Sequence, residues 1–315
     1  MTLDPQVEYI LELIEKSPYP EFHTLSPQEA REIFEDTAPA LNIRPEDVYR
    51  SEDRWVEGVD GDIPIRIYTP YEPAAGETLP ILVFYHGGGF VIGSLDSYDS
   101  LCRALANRAA CIVVSVDYRL APEHKFPAAV DDALDAYQWV SDHAHELDGD
   151  ATRMAIAGDS AGGNVTAVTA IGIRDEGDRS PLLQVLIYPV LDGTPETSSH
   201  HEFAEGMLLT RGNILWFYDH YMKQPEDVAN PRFSPILAED LSGLAPTLLI
   251  VAGHDPLRDE GLAYGERLKD AGVTVELSNY EGMVHGFLSF ADAVDQGKVA
   301  IEQVATALRT AFSNP

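Results

Sequence analysis

The chain has 315 residues, of which 45% are hydrophobic, enough for one large domain or two small ones with a buried core. Its 52 Asp and Glu residues outnumber 21 Lys and Arg, which gives a formal net charge of −31. A surface with this much negative charge repels nucleic acid and anionic membranes. We therefore exclude nucleic acid as a partner and expect no stable membrane association.

The excess negative charge also repels itself. Concentrated salt would screen this repulsion, because the Debye length falls to about 3 Å at 1 M ionic strength. Lysine is also scarce relative to arginine. We therefore predict adaptation to a salt-rich cytoplasm, with an ordinary acidic mesophile protein as the alternative.

The N-terminal residues Met1-Thr-Leu-Asp-Pro5 form neither a basic nor an apolar leader, and no apolar run approaches the roughly 20 residues of a membrane span. These features predict a cytoplasmic protein. We expect the two cysteines, Cys102 and Cys111, to be buried reduced thiols, because no metal-ligand spacing accompanies them.

Residues 1–50 have apolar positions at helical period, and prolines divide them into two helices. Ser26-Pro27-Gln-Glu29 is typical of a helix start with proline in the first turn. The strand pattern of the later sequence is missing here. We interpret the region as an N-terminal helical cap segment, with a packed extension as the alternative.

From residue 51 onward, apolar strands alternate with helices, which predicts an α/β protein with a mostly parallel central sheet and helices on both faces. Two strands joined by a turn at Asp60-Gly61 predict an antiparallel hairpin at one edge. The predicted strands are Arg54–Glu57, Ile63–Thr69, Ile81–Tyr85, Cys111–Val116, Met154–Ala157, Leu182–Tyr188, Thr247–Ala252 and Val273–Leu277. The predicted helices are Tyr98–Ala109, Ala128–Glu146, Ala161–Glu176, Arg258–Ala271 and Phe290–Phe312.

Residues 192–232 interrupt the alternation. Inserts of this length above a site are often lids, so we predict a cap insertion at about 192–232 within a catalytic domain that spans 51–315. His200 and His201 in this insert are adjacent rather than four residues apart. We therefore interpret them as part of a polar loop rather than as a metal site.

The stretch Gly158-Asp-Ser160-Ala-Gly162 links a predicted strand to a predicted helix and matches the G-x-S-x-G nucleophile elbow. A serine on so sharp a turn needs very small residues two positions before and after it, because strand and helix pass close together. Ala161 is the first residue of the predicted helix, so its N–H lies at the helix N-terminus, where the helix dipole favours a developing negative charge. Taken alone, the motif could also be an ordinary strand-to-helix turn.

A second glycine-rich stretch, His86-Gly87-Gly88-Gly89-Phe90, follows another predicted strand. Its glycines leave room for a ligand and can turn N–H groups toward it, as an oxyanion hole requires. A flexible loop or a phosphate-binding turn would have the same composition. With the elbow downstream we predict an oxyanion hole, and we expect His86 to support the loop by hydrogen bonding rather than to act as a base.

A serine nucleophile needs a histidine base oriented by a carboxylate, and with an elbow of this kind the acid precedes the histidine in the chain. Asp255 and His285 have this order, and each follows a predicted strand at whose end distant residues can meet. Asp259 is the alternative acid. Weaker candidates for the base or the acid are His124, His254 and Asp159.

Five motifs stand in order along the chain: His86-Gly-Gly-Gly-Phe90, Asp117-Tyr-Arg-Leu-Ala-Pro-Glu-His124, Gly158-Asp-Ser-Ala-Gly-Gly-Asn164, Asp255-Pro-Leu-Arg-Asp259 and His285-Gly-Phe287. Together they resemble the hormone-sensitive-lipase family of α/β-hydrolases, the type IV carboxylesterases, over about residues 50–290. The resemblance implies the α/β-hydrolase fold, with a cap made by the N-terminal region and the 192–232 insert over the acyl pocket. It implies a catalytic triad of Ser160, Asp255 and His285. It also implies an oxyanion hole formed by the N–H groups of Gly88, Gly89 and Ala161.

The family resemblance further implies a serine carboxylesterase that hydrolyses short- to medium-chain esters through an acyl-enzyme, with a small-molecule ester as partner and neither metal nor cofactor. Poor binding to anionic lipid interfaces favours an esterase over a true lipase. Candidate substrate-binding residues are Phe34, Phe90, Phe203, Leu208 and Trp216, for which packing inside the helices is the alternative role.

Two other functions remain as alternatives. A receptor or adhesion protein of the same fold would have lost the triad, and the presence of His285 disfavours it. A peptidase acting on acylated peptides would usually carry a further large domain, for which the chain has no room. An exposed edge strand of the sheet could pair two subunits into a homodimer.

Overall fold

The computed structural model describes residues 2–313, and in them apolar segments form one sheet of eight strands. The strands are β1 Arg50–Gly58, β2 Gly61–Thr69, β3 Leu79–Tyr85, β4 Ile112–Val116, β5 Gly149–Asp159, β6 Gln184–Ile187, β7 Thr247–His254 and β8 Val275–Val284. Their order across the sheet is β1-β2-β4-β3-β5-β6-β7-β8. The six strands β4, β3, β5, β6, β7 and β8, which are neighbours in this order, pair in parallel. Strand β2 is antiparallel to both β1 and β4.

Helices cover both faces of this sheet. They are α1 Pro5–Glu15, α2 Pro27–Leu41, α3 Asp99–Ala109, α4 Ala128–Asp142, α5 Ala161–Glu176, α6 Ser198–Glu202, α7 Arg211–Tyr221, α8 Arg258–Asp270 and α9 Asp295–Ser313. Along β3, Val83 and Tyr85 point into the core shared with α4 and α5, while Leu82 and Phe84 point into the core shared with α3 and α9. Burial on both faces explains why the central strands are continuously apolar.

The predicted α/β-hydrolase architecture and the edge hairpin are confirmed, but several of the predicted boundaries are wrong. The helix predicted over Ala128–Glu146 ends at Asp142, and the last helix begins at Asp295 because Phe287–Phe290 forms a separate buried 3₁₀ turn. The strand predicted to end at Leu277 continues to Val284, so no loop precedes His285. The second half of β8 is not recognisable as a strand from its sequence, because β8 is an edge strand whose residues alternate in exposure and include many polar ones.

The predicted cap insert is not a separate body. From its helix α7, Phe217, Tyr218 and Tyr221 are buried in the main core. The insert also contacts the N-terminal region, since the backbone N–H of His23 donates to Asn213 Oδ1 at 3.1 Å. The two segments therefore contact each other as well as the sheet domain.

Cys102 and Cys111 are buried free thiols, as the sequence predicts. Within residues 2–313 no helix is both long and apolar enough to cross a membrane.

Candidate active site

Ser160 lies on the turn between β5 and α5 with φ 54° and ψ −119°, a backbone conformation that residues with side chains rarely adopt. Its N–H donates to the carbonyl of Ile187 at 2.8 Å. A Cβ added to Gly158 would lie 2.2 Å from the carbonyl oxygen of Gly162, and one added to Gly162 would lie 2.0 Å from that of Tyr85. The two glycines of the elbow are thus required by close backbone contact.

Three polar side chains meet at the elbow. Ser160 Oγ is 2.8 Å from His285 Nε2, and His285 Nδ1 is 2.8 Å from Asp255 Oδ2. Asp255 is fully buried and His285 is 7% exposed. Since the Asp255 carboxylate can only accept a hydrogen bond, Nδ1 of the neutral imidazole carries the N–H, and Nε2 is left as the acceptor for the serine hydroxyl. This arrangement can remove the serine proton and return it to a leaving group.

The acid and the imidazole are held from several sides. The second oxygen of Asp255 accepts the N–H of Leu257 at 2.9 Å, in the turn between β7 and α8. His285 directly follows β8, and the ring centroid of Tyr188 lies 4.8 Å from that of the imidazole. Parallel pairing of β7 with β8 brings the two strand ends together, which explains how residues 30 positions apart form a hydrogen bond.

The glycine-rich stretch forms a tight loop after β3. Gly88 and Gly89 have φ values of 115° and 59°, a region that favours glycine. Their N–H groups donate to no acceptor in the described part of the chain, whereas Gly87 donates to Asp159 Oδ1 at 2.9 Å. Because Tyr85 pairs with Gly158 in the sheet, this loop and the elbow leave their strands at the same level. Ala161 is the first residue of α5, where N–H groups lack helical partners.

His86 supports this loop. It is fully buried, its Nδ1 is 2.7 Å from the carbonyl of Gly87, and its ring stacks on Tyr118. Burial lowers the pKa of His86 to about 4, so the ring is neutral at pH 7 and donates from Nδ1. Tyr118 in turn donates to the carbonyl of His86 at 2.6 Å.

Asp159 makes neither of the hydrogen bonds that join Ser160, His285 and Asp255, but it connects the elbow with the glycine-rich loop. Besides the N–H of Gly87, its carboxylate accepts the hydroxyl of Tyr98 at 3.0 Å. Burial raises the pKa of Asp159 to about 6, although these hydrogen bonds oppose the shift.

The alternative catalytic residues have other partners or lie away from the serine. Asp259 accepts from the N–H of Ser199 and from Arg258, and His254 packs against Phe203. His124 is exposed.

The two adjacent histidines lie in the short helix α6 rather than in the predicted loop. Fully buried His200 has its Nε2 2.9 Å from an oxygen of Glu260, whereas exposed His201 is near Glu196. Among residues 2–313 no group of three or more His, Cys, Asp or Glu side chains could hold a metal ion.

Two of the predicted substrate-binding residues are buried in packing. Phe90 is 1% exposed and stacks on Tyr221 with ring centroids 3.9 Å apart. Phe203 is 6% exposed and lies under the guanidinium of Arg258. Neighbouring side chains cover both rings, which favours the alternative role of packing inside the protein, and substrate contact by these two residues stays a prediction.

The other three predicted contacts are half-buried. Leu208 lies beside Gly286, the residue that follows His285, with Cδ2 3.4 Å from a Cβ added to Gly286. Phe34 packs between the two cores, and Trp216 packs against the neighbouring ring of Phe217.

Sequence reasoning missed two aromatic residues near the site. The ring of Phe217 covers Gly89, where an added Cβ would lie 2.3 Å from it. Tyr188 packs on His285. Their only sequence signals are an aromatic-rich helix and the end of a strand, neither of which indicates the side that faces the site.

Comparisons with known proteins agree with this geometry. The family model of the alpha/beta hydrolase fold matches residues 82–289. The chain is 45% identical to a carboxylic ester hydrolase, LipN, of Mycobacterium tuberculosis over 83% of this chain and 70% of the relative. It is 36% identical to an ethyl acetate hydrolase of Pseudomonas putida, with 98% and 99% of the two chains covered.

Solved structures give the same result. An ester hydrolase from the metagenome of Lake Arreo, complexed with a bipyridine phosphonate derivative, superposes with a TM-score of 0.95 at 40% identity, covering 99% of this chain and 100% of that one. A hyperthermophilic esterase of Pyrobaculum calidifontis superposes with a TM-score of 0.91 at 42% identity, covering 98% and 99%.

Proposed function

This chain belongs to the alpha/beta hydrolase family and is a carboxylic ester hydrolase of the hormone-sensitive-lipase type, and we propose that Ser160 is its nucleophile, His285 its base and Asp255 the acid that orients the base. The observation that carries this proposal is the series of two hydrogen bonds, 2.8 Å from Ser160 Oγ to His285 Nε2 and 2.8 Å from His285 Nδ1 to Asp255 Oδ2. The serine–histidine–carboxylate sequence of hydrogen bonds and the role of each group match those of other serine hydrolases.

In the first half-reaction, His285 takes the proton of Ser160 while the serine oxygen bonds to the carbonyl carbon of the ester. Asp255 stabilises the imidazolium that forms without taking its proton. The imidazolium then protonates the alcohol oxygen, the ester C–O bond breaks, and the acyl group remains on the serine.

Negative charge develops on the carbonyl oxygen in this step. We propose that the N–H groups of Gly88, Gly89 and Ala161 bind it. The supporting observations are the two unpartnered glycine N–H groups and the position of Ala161 at the start of a helix.

In the second half-reaction, His285 takes a proton from water, which attacks the acyl carbon. The serine leaves with the proton returned by the imidazole, and the carboxylic acid is released. Side chains move every proton in this cycle, so the proposed chemistry requires neither a metal nor an organic cofactor.

We propose that residues 1–50 and the 192–232 insert form a cap and that it limits the enzyme to short- and medium-chain acyl groups. Supporting observations are the contact between the two segments and the positions of Phe217 over Gly89 and of Leu208 beside Gly286. Phe34 and Trp216 belong to the same segments and remain candidates for the pocket wall.

Three further proposals concern the whole protein. The net charge supports adaptation to a salt-rich prokaryotic cytoplasm. The sheet ends in the strands β1 and β8, either of which could pair two subunits into a homodimer. The cytoplasmic location itself stays a prediction.

The proposed function is tested by hydrolysis of p-nitrophenyl esters from acetate to palmitate, in low salt and in molar KCl. We expect the wild type to turn over the short esters, and Ser160→Ala to lose about 10⁴-fold or more in kcat. Ser51→Ala, at an exposed serine of β1, is the matched control and should equal the wild type. Full activity of Ser160→Ala would contradict the assignment of the nucleophile.

A further inference from the structure

The guanidinium of Arg31 in α2 binds the backbone just beyond the glycine-rich loop. Its Nε donates to the carbonyl of Val91 at 2.8 Å and its Nη2 to the carbonyl of Ala121 at 2.8 Å. The remaining N–H groups form a two-pronged pair with the carboxylate of Glu123, at 2.9 and 2.6 Å. The Arg31 side chain is 23% exposed, whereas that of Glu123 is 56% exposed, so the backbone bonds lie on the inner side.

Two peptide groups connect this cation with the proposed oxyanion hole. The Val91 carbonyl that accepts from Arg31 belongs to the same peptide group as the N–H of Ile92. That N–H donates to the carbonyl of Gly88 at 3.0 Å. The Gly88 carbonyl in turn belongs to the same peptide group as the N–H of Gly89.

We propose that Arg31 is a positioning residue for ester hydrolysis, because it orients and polarises the N–H of Gly89 through these two hydrogen-bonded peptide groups. The inference rests on the proposed function, in which Gly89 donates to the oxyanion. Hydrogen bonds in series strengthen one another by roughly 10–30% per bond, and a cation at the start of the series adds to the effect.

Arg31 also fixes the loop geometrically. The carbonyl of Phe90 accepts the N–H of Ala121 at 2.9 Å, and Arg31 binds the carbonyls of Val91 and Ala121 on either side of that bond. A cap helix therefore contributes to catalysis without any contact between Arg31 and the triad.

The test compares Arg31→Met with Glu123→Gln, which removes the ion pair but leaves both backbone bonds of Arg31. We expect kcat to fall about tenfold in Arg31→Met with little change in KM, since losing a whole oxyanion donor costs about 10²–10³ in kcat and this effect is indirect. Glu123→Gln should retain the wild-type kcat. Arg31→Lys, which keeps the charge, should recover part of the lost rate.

A second readout isolates the oxyanion hole. The kcat/KM ratio of an ester to the matching thionoester reports on it, because sulfur accepts hydrogen bonds weakly. We expect this ratio to fall in Arg31→Met and to stay at the wild-type value in Glu123→Gln. Both substrates are measured on one preparation, so the ratio does not depend on the folded fraction.

An unchanged ratio in Arg31→Met, an equal loss of kcat in Glu123→Gln, or a lysine variant no faster than the methionine variant would overturn the inference. Ser160→Ala is assayed in parallel. Activity of Ser160→Ala close to that of the wild type would contradict the proposed nucleophile, whereas the expected loss in Ser160→Ala beside a fully active Arg31→Met would contradict only the role of Arg31.

Discussion

At the elbow, individual atoms decide what the chain can do. Ser160 has a positive φ, and the backbone of Tyr85 and His86 passes so close to Gly162 that a Cβ there would lie 2.0 and 2.5 Å from their carbonyl oxygens. Backbone atoms cannot move aside as a flexible side chain can. The serine is exposed for reaction only because its neighbours are this small.

We therefore expect Gly162→Ala to destabilise the protein by more than about 4 kcal/mol or to prevent folding, since the clash is with backbone. Gly172→Ala in the same helix is the matched control. Its added Cβ meets only the flexible end of Leu134 at 3.2 Å, and alanine raises helix propensity by up to about 1 kcal/mol. Urea unfolding of both variants measures the difference, and similar stabilities would contradict the packing argument.

Asp159 gives a prediction about pH. In the folded chain its pKa is raised to about 6 by burial, whereas an unfolded aspartate has a pKa near 3.9. Between these values the folded protein binds more protons, so this residue makes stability fall as pH rises through the window from about 4 to 6.

The amide of Asp159→Asn does not titrate, so this variant should lack the contribution of Asp159 to the fall in stability with rising pH. The stability of the variant relative to the wild type should therefore rise between about pH 4 and 6, by at most roughly 3 kcal/mol. Denaturant unfolding at several pH values measures this difference, in which the other titrating groups cancel. A constant difference across the window would contradict the buried, raised pKa.

Among the elements, the short helix α6 connects the insert to the turn that carries Asp255, the proposed acid. Ser199 Oγ donates to the carbonyl of Pro256 at 2.6 Å, one residue after Asp255. Glu260 accepts the N–H of Leu191 at 2.6 Å with one oxygen and contacts His200 with the other. A buried carboxylate thus joins the start of the insert, α6 and α8.

His200→Ala should lower the free energy of unfolding by about 3 kcal/mol or more, because it leaves one oxygen of a buried carboxylate without a partner. Its neighbour is the matched control. His201 is exposed and near exposed Glu196, so His201→Ala should change stability by less than about 0.5 kcal/mol. Equal effects of the two variants in urea unfolding would contradict this account of α6.

The strands and motifs are predictable from the sequence because their chemistry is local. A buried strand is a short apolar run, and an elbow needs its glycines at fixed spacing, so Ser160, Asp255 and His285 can all be selected in advance. Helix α6 and the second half of β8 are not predictable in this way. Their residues are polar, and only tertiary partners such as Glu260 and the edge of β7 specify their structure.

The pocket wall is less predictable for the same reason. Trp216 and Phe217 are adjacent aromatics on one helix, and only the docking of α7 determines that Phe217 covers Gly89. Phe90 belongs to a recognised motif, yet its ring stacks on Tyr221 from the distant insert. Contacts between remote segments leave no periodic signal in the sequence.

Across the whole molecule, charge is the feature that composition governs most directly. With a formal charge of −31, many carboxylates have no basic residue to pair with. Their mutual repulsion destabilises the compact state and is screened by salt.

We expect the melting temperature to rise by several degrees between low salt and about 1 M KCl and then to level off, as screening saturates. NaCl should give the same curve, because screening depends on ionic strength rather than on the cation. Thermal melts followed by circular dichroism measure both. A melting temperature that is insensitive to salt, or that falls, would contradict the proposed adaptation.

Esterase activity as proposed depends on Ser160 as the nucleophile, activated by His285 and Asp255. The most direct measurement is to treat the protein with a p-nitrophenyl alkylphosphonate, which transfers its phosphonyl group to an activated serine, and to locate the adduct by peptide mass spectrometry. We predict one adduct per chain, on Ser160, with loss of esterase activity in proportion to labelling and no adduct in Ser160→Ala. An adduct on another residue that tracks the loss of activity, or an active enzyme that is never labelled, would contradict the claim.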